Sequence, residues 1–252
     1  MFNVAYLKLL RAEELERIVP LLPSDARILE LGAGTGDQAK LLSERGFDVI
    51  AIDLTSSDYA AARVFPITEY DGKHIPVPSE SIDVTFSSNV LEHVENLSEL
   101  LPEFRRILRP GGFGIHIMPT PAWRLWTFVA GFPTALIALG CLVFQVLRRP
   151  DGLTARAAVT TNLKTAVAAI LPLGHGTSIE GFSEFWTFSA AAWRRKFARH
   201  GFDVVAEHPI GLFYTGHMLM GPRLSFQARA RLSRIWGSAT RIYVVHNCRP
   251  GR

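Results

Sequence analysis

The segment Glu30-Leu31-Gly32-Ala33-Gly34-Thr35-Gly36 restricts the possible folds of this chain more than any other stretch. It closes the short apolar run Arg27–Leu31, which the breaker Pro23-Ser24-Asp25 precedes, and leads into a helical stretch over Asp37–Arg45 ended by Gly46. Glycines at a strand-to-helix junction permit a tight turn and let the backbone approach a ligand, while the next helix presents free N–H groups. A dinucleotide fingerprint requires G-x-G-x-x-G, and the sixth position here is Asp37. An acid directly before the loop, Glu30, suits a ligand carrying an ammonium group better than a pyrophosphate.

Strand and helix signals alternate on both sides of this loop. Apolar runs at Phe47–Ile52, Val64–Thr68, Ile82–Ser87 and Phe113–Met118 read as further strands, with a helix over Leu97–Leu108 stopped by Pro110-Gly111-Gly112. The pattern breaks after Pro119 and resumes with a helix over Ala190–His200 and strands at Phe202–Ala206 and Arg241–Asn247. Strands separated by helices imply parallel pairing, right-handed crossovers and helices on both faces. The expectation is a Rossmann-like, doubly wound α/β sheet, mostly parallel and seven-stranded. Residues 1–252 then form one domain, and the block 120–186 is an apolar cap or hairpin inserted after the fifth strand.

Length supports this: 252 residues can bury one large core. A mean hydropathy of +0.16 is high for a soluble enzyme. Cys141 and Cys248 form no C-x-x-C pair and have no metal spacing, so no metal site is expected and a reduced, cytoplasmic setting fits. The start of the chain does not read as an export leader. From Arg194 onward there are 11 Lys/Arg against two acids, which suggests an anionic neighbour or an ordinary solvated face.

Further acids fall at strand ends. Asp53 closes the second strand, where a carboxylate can accept from both hydroxyls of a ribose, and Leu54 follows it. Asp71, before the Ile75-Pro76 turn, could accept from an adenine amino group. The fourth strand runs into Ser87-Ser88-Asn89-Val90-Leu91-Glu92-His93-Val94. With the loop E-L-G-A-G-T-G, Asp53, I-P-V-P-S-E-S-I-D-V, S-N-V-L-E-H-V and L-R-P-G-G, the chain resembles the class I S-adenosylmethionine-dependent methyltransferases, in particular the type 11, quinone-biosynthesis-like group. The resemblance covers residues 27–118 well and 189–208 and 241–247 more loosely. It implies S-adenosylmethionine as cofactor and S-adenosylhomocysteine as product. Glu30, Gly32, Ala33, Gly34 and Gly36 would then serve the methionine portion, Asp53 and Leu54 the ribose, Asp71 the adenine, and Ser88, Asn89 and His93 would line the site. It also implies an antiparallel last strand, assigned to Arg241–Asn247.

Methyl transfer from a sulfonium needs alignment and exclusion of water, and a hydroxyl acceptor gains from a base that titrates near neutrality. His175 and His217 are the candidates, since both fall on segments expected beyond the carboxyl ends of the strands. His93 reads as a supporting residue and His116 as buried. Trp123, Arg124 and Tyr214, with Trp186 and Phe188, could line an acceptor pocket. Nucleic acid is disfavoured: no Asn/Asp-Pro-Pro-aromatic turn follows the fourth strand, and neither cysteine lies near the site. The expected reaction is O-methylation of a hydrophobic or lipid-linked acceptor, which could carry a glycan. The alternatives are carbon methylation of a quinone-like ring and a non-catalytic binding protein on the same fold.

Leu125–Leu147 holds 23 consecutive uncharged residues between Arg124 and Arg148-Arg149. That length is enough for a membrane span, but strands on both sides belong to one sheet, so the chain must return to the face it left. Pro133 and Gly140 are expected to break the run, and Asn162 and Lys164 make Ala157–Leu173 a poor second span. The reading is an apolar helical hairpin that dips into one leaflet and makes the protein peripheral on a membrane. A homodimer interface and an internal substrate lid are the alternatives.

Overall fold

The computed structural model describes residues 4–147, 153–170, 175, 181–218 and 220–248. Seven apolar runs form strands β1 (Arg27–Leu31), β2 (Asp48–Leu54), β3 (Ile67–Tyr70), β4 (Ile82–Ser88), β5 (Leu108–Pro119), β6 (Phe202–Pro209) and β7 (Thr240–Asn247). They pair in the order β3-β2-β1-β4-β5-β7-β6. The first five are mutually parallel, and β7 runs antiparallel between β5 and β6. This is the expected doubly wound sheet with its antiparallel last strand. The chain fills one half outward from β1 and then crosses to β4, so the carboxyl ends of β1 and β4 flank the switch point where such sheets bind ligands.

Both faces of the sheet are covered, which is why its central strands read as nearly continuous apolar runs. On one side Ile28, Val84, Phe86, Ile115 and Ile117 pack with Leu10, Leu15 and Ile18 of α1 (Val4–Ile18) and with Leu42 of α2 (Asp37–Glu44). On the other, Leu29, Leu31, Ile52 and Tyr243 pack with Leu100, Leu101 and Phe104 of α3 (Leu97–Ile107) and a fully buried Trp193.

The described residues of the inserted block are largely helical. After β5 come α4 (Pro121–Leu147), α5 (Leu153–Ile170) and the short α6 (Glu184–Thr187), before α7 (Ala190–Arg199) carries Trp193 back to the sheet. Contrary to expectation, α4 is one continuous helix through Pro133 and Gly140. Pro133 deprives one carbonyl of its donor and an interior glycine costs about 1 kcal/mol. The helix persists because α5 packs along it through a seam of small residues, Ala135 and Ala138 against Ala166 and Ala169. Gly131 lies so close to α5 that a Cβ there would overlap the carbonyl oxygen of Ala169.

Several boundaries also differ from the sequence reading. The third strand begins at Ile67, where pairing with Ala51 starts, rather than at Val64. Pro110-Gly111-Gly112 lies inside β5: α3 ends at Ile107, Leu108 turns extended and pairs with Ile82, and an irregularity between Ile82 and Val84 absorbs the extra residues. A helix that the sequence reading missed, α8 (Phe226–Trp236), precedes β7, capped by the Ser225 hydroxyl accepting from the Ala228 N–H.

Candidate active site

The glycine loop turns at the end of β1 with Gly32, Gly34 and Gly36 all at positive φ (68°, 59° and 79°). Gly32 is also sterically obligatory. A Cβ there would stand 2.6 Å from Cγ2 of Val90, which presses on the loop from the segment after β4. The N–H groups of Gly32 and Ala33 donate to the Ile52 carbonyl at 2.9 and 3.1 Å and tie the turn to β2. Asp53, one residue on, is buried at the base of the loop. Its Oδ2 accepts from the Gly34 N–H (3.1 Å) and the Ser57 hydroxyl (2.7 Å), and its Oδ1 from the Leu54 N–H (2.9 Å).

Glu30, at 2% exposure, is the electrostatic anomaly of the site. Burial, together with the neighbouring Asp53, pushes its carboxyl up to about 8. Its Oε2 is buried without a hydrogen-bond partner. A buried polar atom left unpaired needs a partner, and an ammonium group supplies one.

Two cavities meet over the loop, both lined by Gly32 and Val90. The larger, about 410 Å³, is bounded by Asp53, Leu54, Tyr70, Asp71 and His93. The smaller, about 230 Å³, is bounded by Gly32–Thr35, Ser88, Asn89 and, from α1, Lys8 and Arg11. Of the residues assigned to the cofactor, all but Glu30 and Gly36 line one or other of these cavities. Asp71 lies at its exposed rim, where its carboxylate accepts from the backbone N–H groups of Lys73 and His74 and from the His74 ring, and these bonds hold it below the usual carboxylate range. Asn89, directly after β4, lies in the left-handed region (φ 55°), a strained conformation found at ligand sites. With its amide oxygen turned to Arg11, it accepts from Nη1 at 2.7 Å.

Sequence reasoning missed the contribution of α1. The buried Glu14 accepts from Arg11 (2.5 Å), the Tyr214 hydroxyl (2.7 Å) and the Thr240 hydroxyl (2.6 Å), and so pins the helix across the cleft. The only available signal was a charged pair, Arg11 and Glu14, one turn apart on an otherwise apolar face. Tyr214, expected to meet substrate, uses its hydroxyl in this network, while its ring faces a separate apolar cavity. Arg124 is likewise turned inward, with Nε 3.0 Å from the Gly181 carbonyl and 3.3 Å from Glu184.

The two candidate bases part company. His175 packs edge-on against His93, with ring centroids 4.7 Å apart, and against Trp123 at 4.9 Å. Its backbone N–H donates to Glu184. Burial, then His93 and the cations Arg124 and Arg11, pushes its pKa down to about 4. His217 borders Gly131 of α4 instead; neither histidine lines the two cavities, and His175 reaches the larger one only through His93. His116 is buried as expected, its Nδ1 2.9 Å from the Ser87 hydroxyl. Of the aromatic set, Trp123 and Phe188 are buried in the core, whereas Trp186 is 72% exposed.

Sheet order, glycine loop, paired strand-end acids and divided cleft together define a class I S-adenosylmethionine-dependent methyltransferase. Comparison agrees: a methyltransferase-domain family matches residues 5–207, and the chain belongs to that family. Its fold is shared with a putative S-adenosylmethionine-dependent methyltransferase of Listeria monocytogenes (TM-score 0.55, 13% identity, covering 96% of this chain and 99% of that one). A Mesorhizobium loti S-adenosylmethionine-dependent methyltransferase gives a TM-score of 0.53 at 18% identity, covering 92% and 97%. The malonyl-[acyl-carrier protein] O-methyltransferase of Yersinia pestis is 35% identical over 89 residues, 34% of this chain and 33% of its own length. An uncharacterized methyltransferase of Mycobacterium tuberculosis is 37% identical over 102 residues, 38% of this chain and 42% of its own. These matches thus span well under half the length of the curated relatives.

The residues present fit S-adenosylmethionine. Glu30 offers an unpaired carboxylate oxygen for the ammonium, Lys8 and Arg11 offer cations for the methionine carboxylate, and Asp53 lies where ribose hydroxyls would bond. Losing a charge-assisted hydrogen bond costs about 1.5–3 kcal/mol, roughly ten- to a hundredfold in affinity. Calorimetry on Asp53→Ala should therefore show S-adenosylhomocysteine binding weakened by that factor. Unchanged affinity would remove Asp53 from the site, and tight NADH binding by the parent would remove the cofactor assignment.

Proposed function

We propose that this protein transfers the methyl group of S-adenosylmethionine to an oxygen of a hydrophobic, lipid-linked acceptor at a membrane surface. The observation that carries the reading is the environment of α4. Residues Pro121–Phe144 are apolar enough to span a bilayer, yet only 33% of their most apolar window is buried. Leu136 (70%) and Ile137 (56%) stand exposed along α4, and Val167 of α5 is exposed beside them. At its start, Trp126 packs on Trp236 of α8 with centroids 4.9 Å apart, next to exposed Ile235 and the exposed cations Arg231 and Arg234. An apolar face with tryptophan and arginine at its edge suits the headgroup boundary. Small-residue packing between α4 and α5 is the kind that holds helices together where lipid, not water, surrounds them.

An apolar cavity of about 230 Å³ opens in the same region, lined by Trp126, Pro133, Phe213, Met218 and Trp236. Tyr214 forms part of its wall and bonds to Arg11, which lines the cofactor cleft, so one side chain connects the two spaces. A chain-bearing acceptor held in the apolar cavity would be anchored beside the cleft. The O-methyltransferase relative in Yersinia pestis supports oxygen as the methylated atom.

S-adenosylmethionine, when bound, supplies an already activated methyl group. The chain itself orients and dries the site. Glu30 and Asp53 fix the ligand in the cleft, Val90 and α1 cover it, and Trp123 walls the side where His175 and His93 meet. Desolvation lowers the pKa of both imidazoles, that of His175 to about 4, which favours a lone pair for an acceptor hydroxyl over a store of protons. His175→Ala should lower kcat/KM on a lipid-linked hydroxyl acceptor by at least roughly tenfold. His217→Ala should stay within about threefold of the parent. Equal effects of the two changes would dismiss the assignment.

The membrane reading has its own test. Liposome flotation should show binding that grows with anionic lipid and weakens in salt. Leu136→Asp with Ile137→Asp should release the protein while S-adenosylhomocysteine binding persists, since both side chains already face outward. A parent that ignores liposomes of every composition would make this face a dimer interface or a lid.

A further inference from the structure

Glu92, His93 and His175 each bring one ligand atom to within 4.8 Å of the other two. Glu92 and His93 share the short helical turn Leu91–His93 that follows β4, whereas His175 comes from the inserted segment. Glu92 is 4% exposed, and neither of its carboxylate oxygens has a hydrogen-bond partner. His93 Nε2 stands 3.9 Å from Oε1, beyond hydrogen-bond reach. Among the described residues, neither imidazole is hydrogen-bonded through its ring. A buried carboxyl and two adjacent imidazoles, none with a hydrogen-bond partner among the described residues, make a costly arrangement that a cation held by all three would relieve, since Arg11 and Lys196 face Glu92 without bonding to it.

We propose that Glu92, His93 and His175 bind a divalent transition-metal cation, zinc by the donor set, and leave a fourth position for an oxygen ligand. Two imidazole nitrogens favour zinc over magnesium or calcium, which take oxygen ligands. Three protein ligands are the number of an open, catalytic-type zinc site rather than a closed structural one. Ligand bonds of about 2.0–2.2 Å place tetrahedral ligand atoms roughly 3.4 Å apart, so side-chain rotations of about 1 Å close the site. Trp123 packs on His175, and His93 also lines the larger cofactor cavity, so the ion would sit at the border of that cavity. It would also cross-link the insertion to the switch point of the sheet. Zinc binding stands on this geometry alone; only its use, holding the acceptor oxygen through the ion in place of direct hydrogen bonds from that hydroxyl to the two imidazoles, rests on the methyl-transfer reading.

The test uses the full chain, stripped with a chelator and titrated with zinc against a chromophoric competitor. One zinc per chain is expected at micromolar concentration or below, with Co2+ giving the absorption of a four-coordinate site. His175→Ala and the isosteric Glu92→Gln should each weaken zinc binding at least tenfold. Zinc should raise the melting temperature of the parent and not that of His175→Ala. Failure to bind one equivalent, or affinity in His175→Ala within threefold of the parent, overturns the proposal. If Glu92→Gln does not fold, His175→Ala decides alone. S-adenosylhomocysteine binding, measured on the same samples, separates the two readings: its absence would fail the methyltransferase assignment and leave the zinc result standing.

Discussion

A buried carboxyl beside a second carboxylate, at the ends of two adjacent parallel strands, is the constraint around which this structure is arranged. Glu30 ends in the core with one oxygen unpaired, and Asp53 lies next to it beneath the glycine loop. Neither is where packing alone would put an acid, since burial penalises charge and proximity penalises it again. The sign of the effect follows from the raised value of Glu30. Between its unfolded range near 4.5 and about 8, the folded state holds more protons than the unfolded one, so this residue reduces stability as pH rises through that window. A ligand bearing positive charge removes the penalty, and the fold keeps a local instability that binding relieves.

The surrounding elements follow from that arrangement. The glycine turn must bring backbone N–H groups to Asp53, and Val90 packs where any side chain at position 32 would stand. Helix α1 closes the cleft through Glu14, which is as buried as Glu30 yet fully paired with Arg11, Tyr214 and Thr240. The contrast between these two glutamates is informative. One is satisfied internally and builds the fold; the other is left with an unpaired oxygen in the core beside Asp53.

Much of this was legible in the sequence because it is local. Glycines, strand-end acids and alternating apolar runs specify β1, β2 and β4 with their loop, and the sheet reading needed few adjustments. What stayed hidden depends on distant pairings. The kinship of His93 and His175 arises only when the insertion folds back over the switch point. Pro133 looked like a helix breaker because nothing in its neighbourhood reveals the seam of alanines on α5. Helix α8 was missed because its arginines mask its apolar face, and one of them, Arg229, is buried with its nitrogens on the carbonyls of Phe213, Gly221 and Leu224.

A ligand whose ammonium reaches Glu30 beneath the glycine loop would relieve this instability directly. Calorimetric titration of S-adenosylhomocysteine near pH 7, repeated in buffers of different ionisation enthalpy, measures the protons exchanged on binding. Glu30, protonated in the free protein at that pH, should ionise against the ammonium, so protons should be released. The release should fade in Glu30→Gln. Binding with no net proton release, equal in the parent and the variant, would show that Glu30 does not ionise against the ligand.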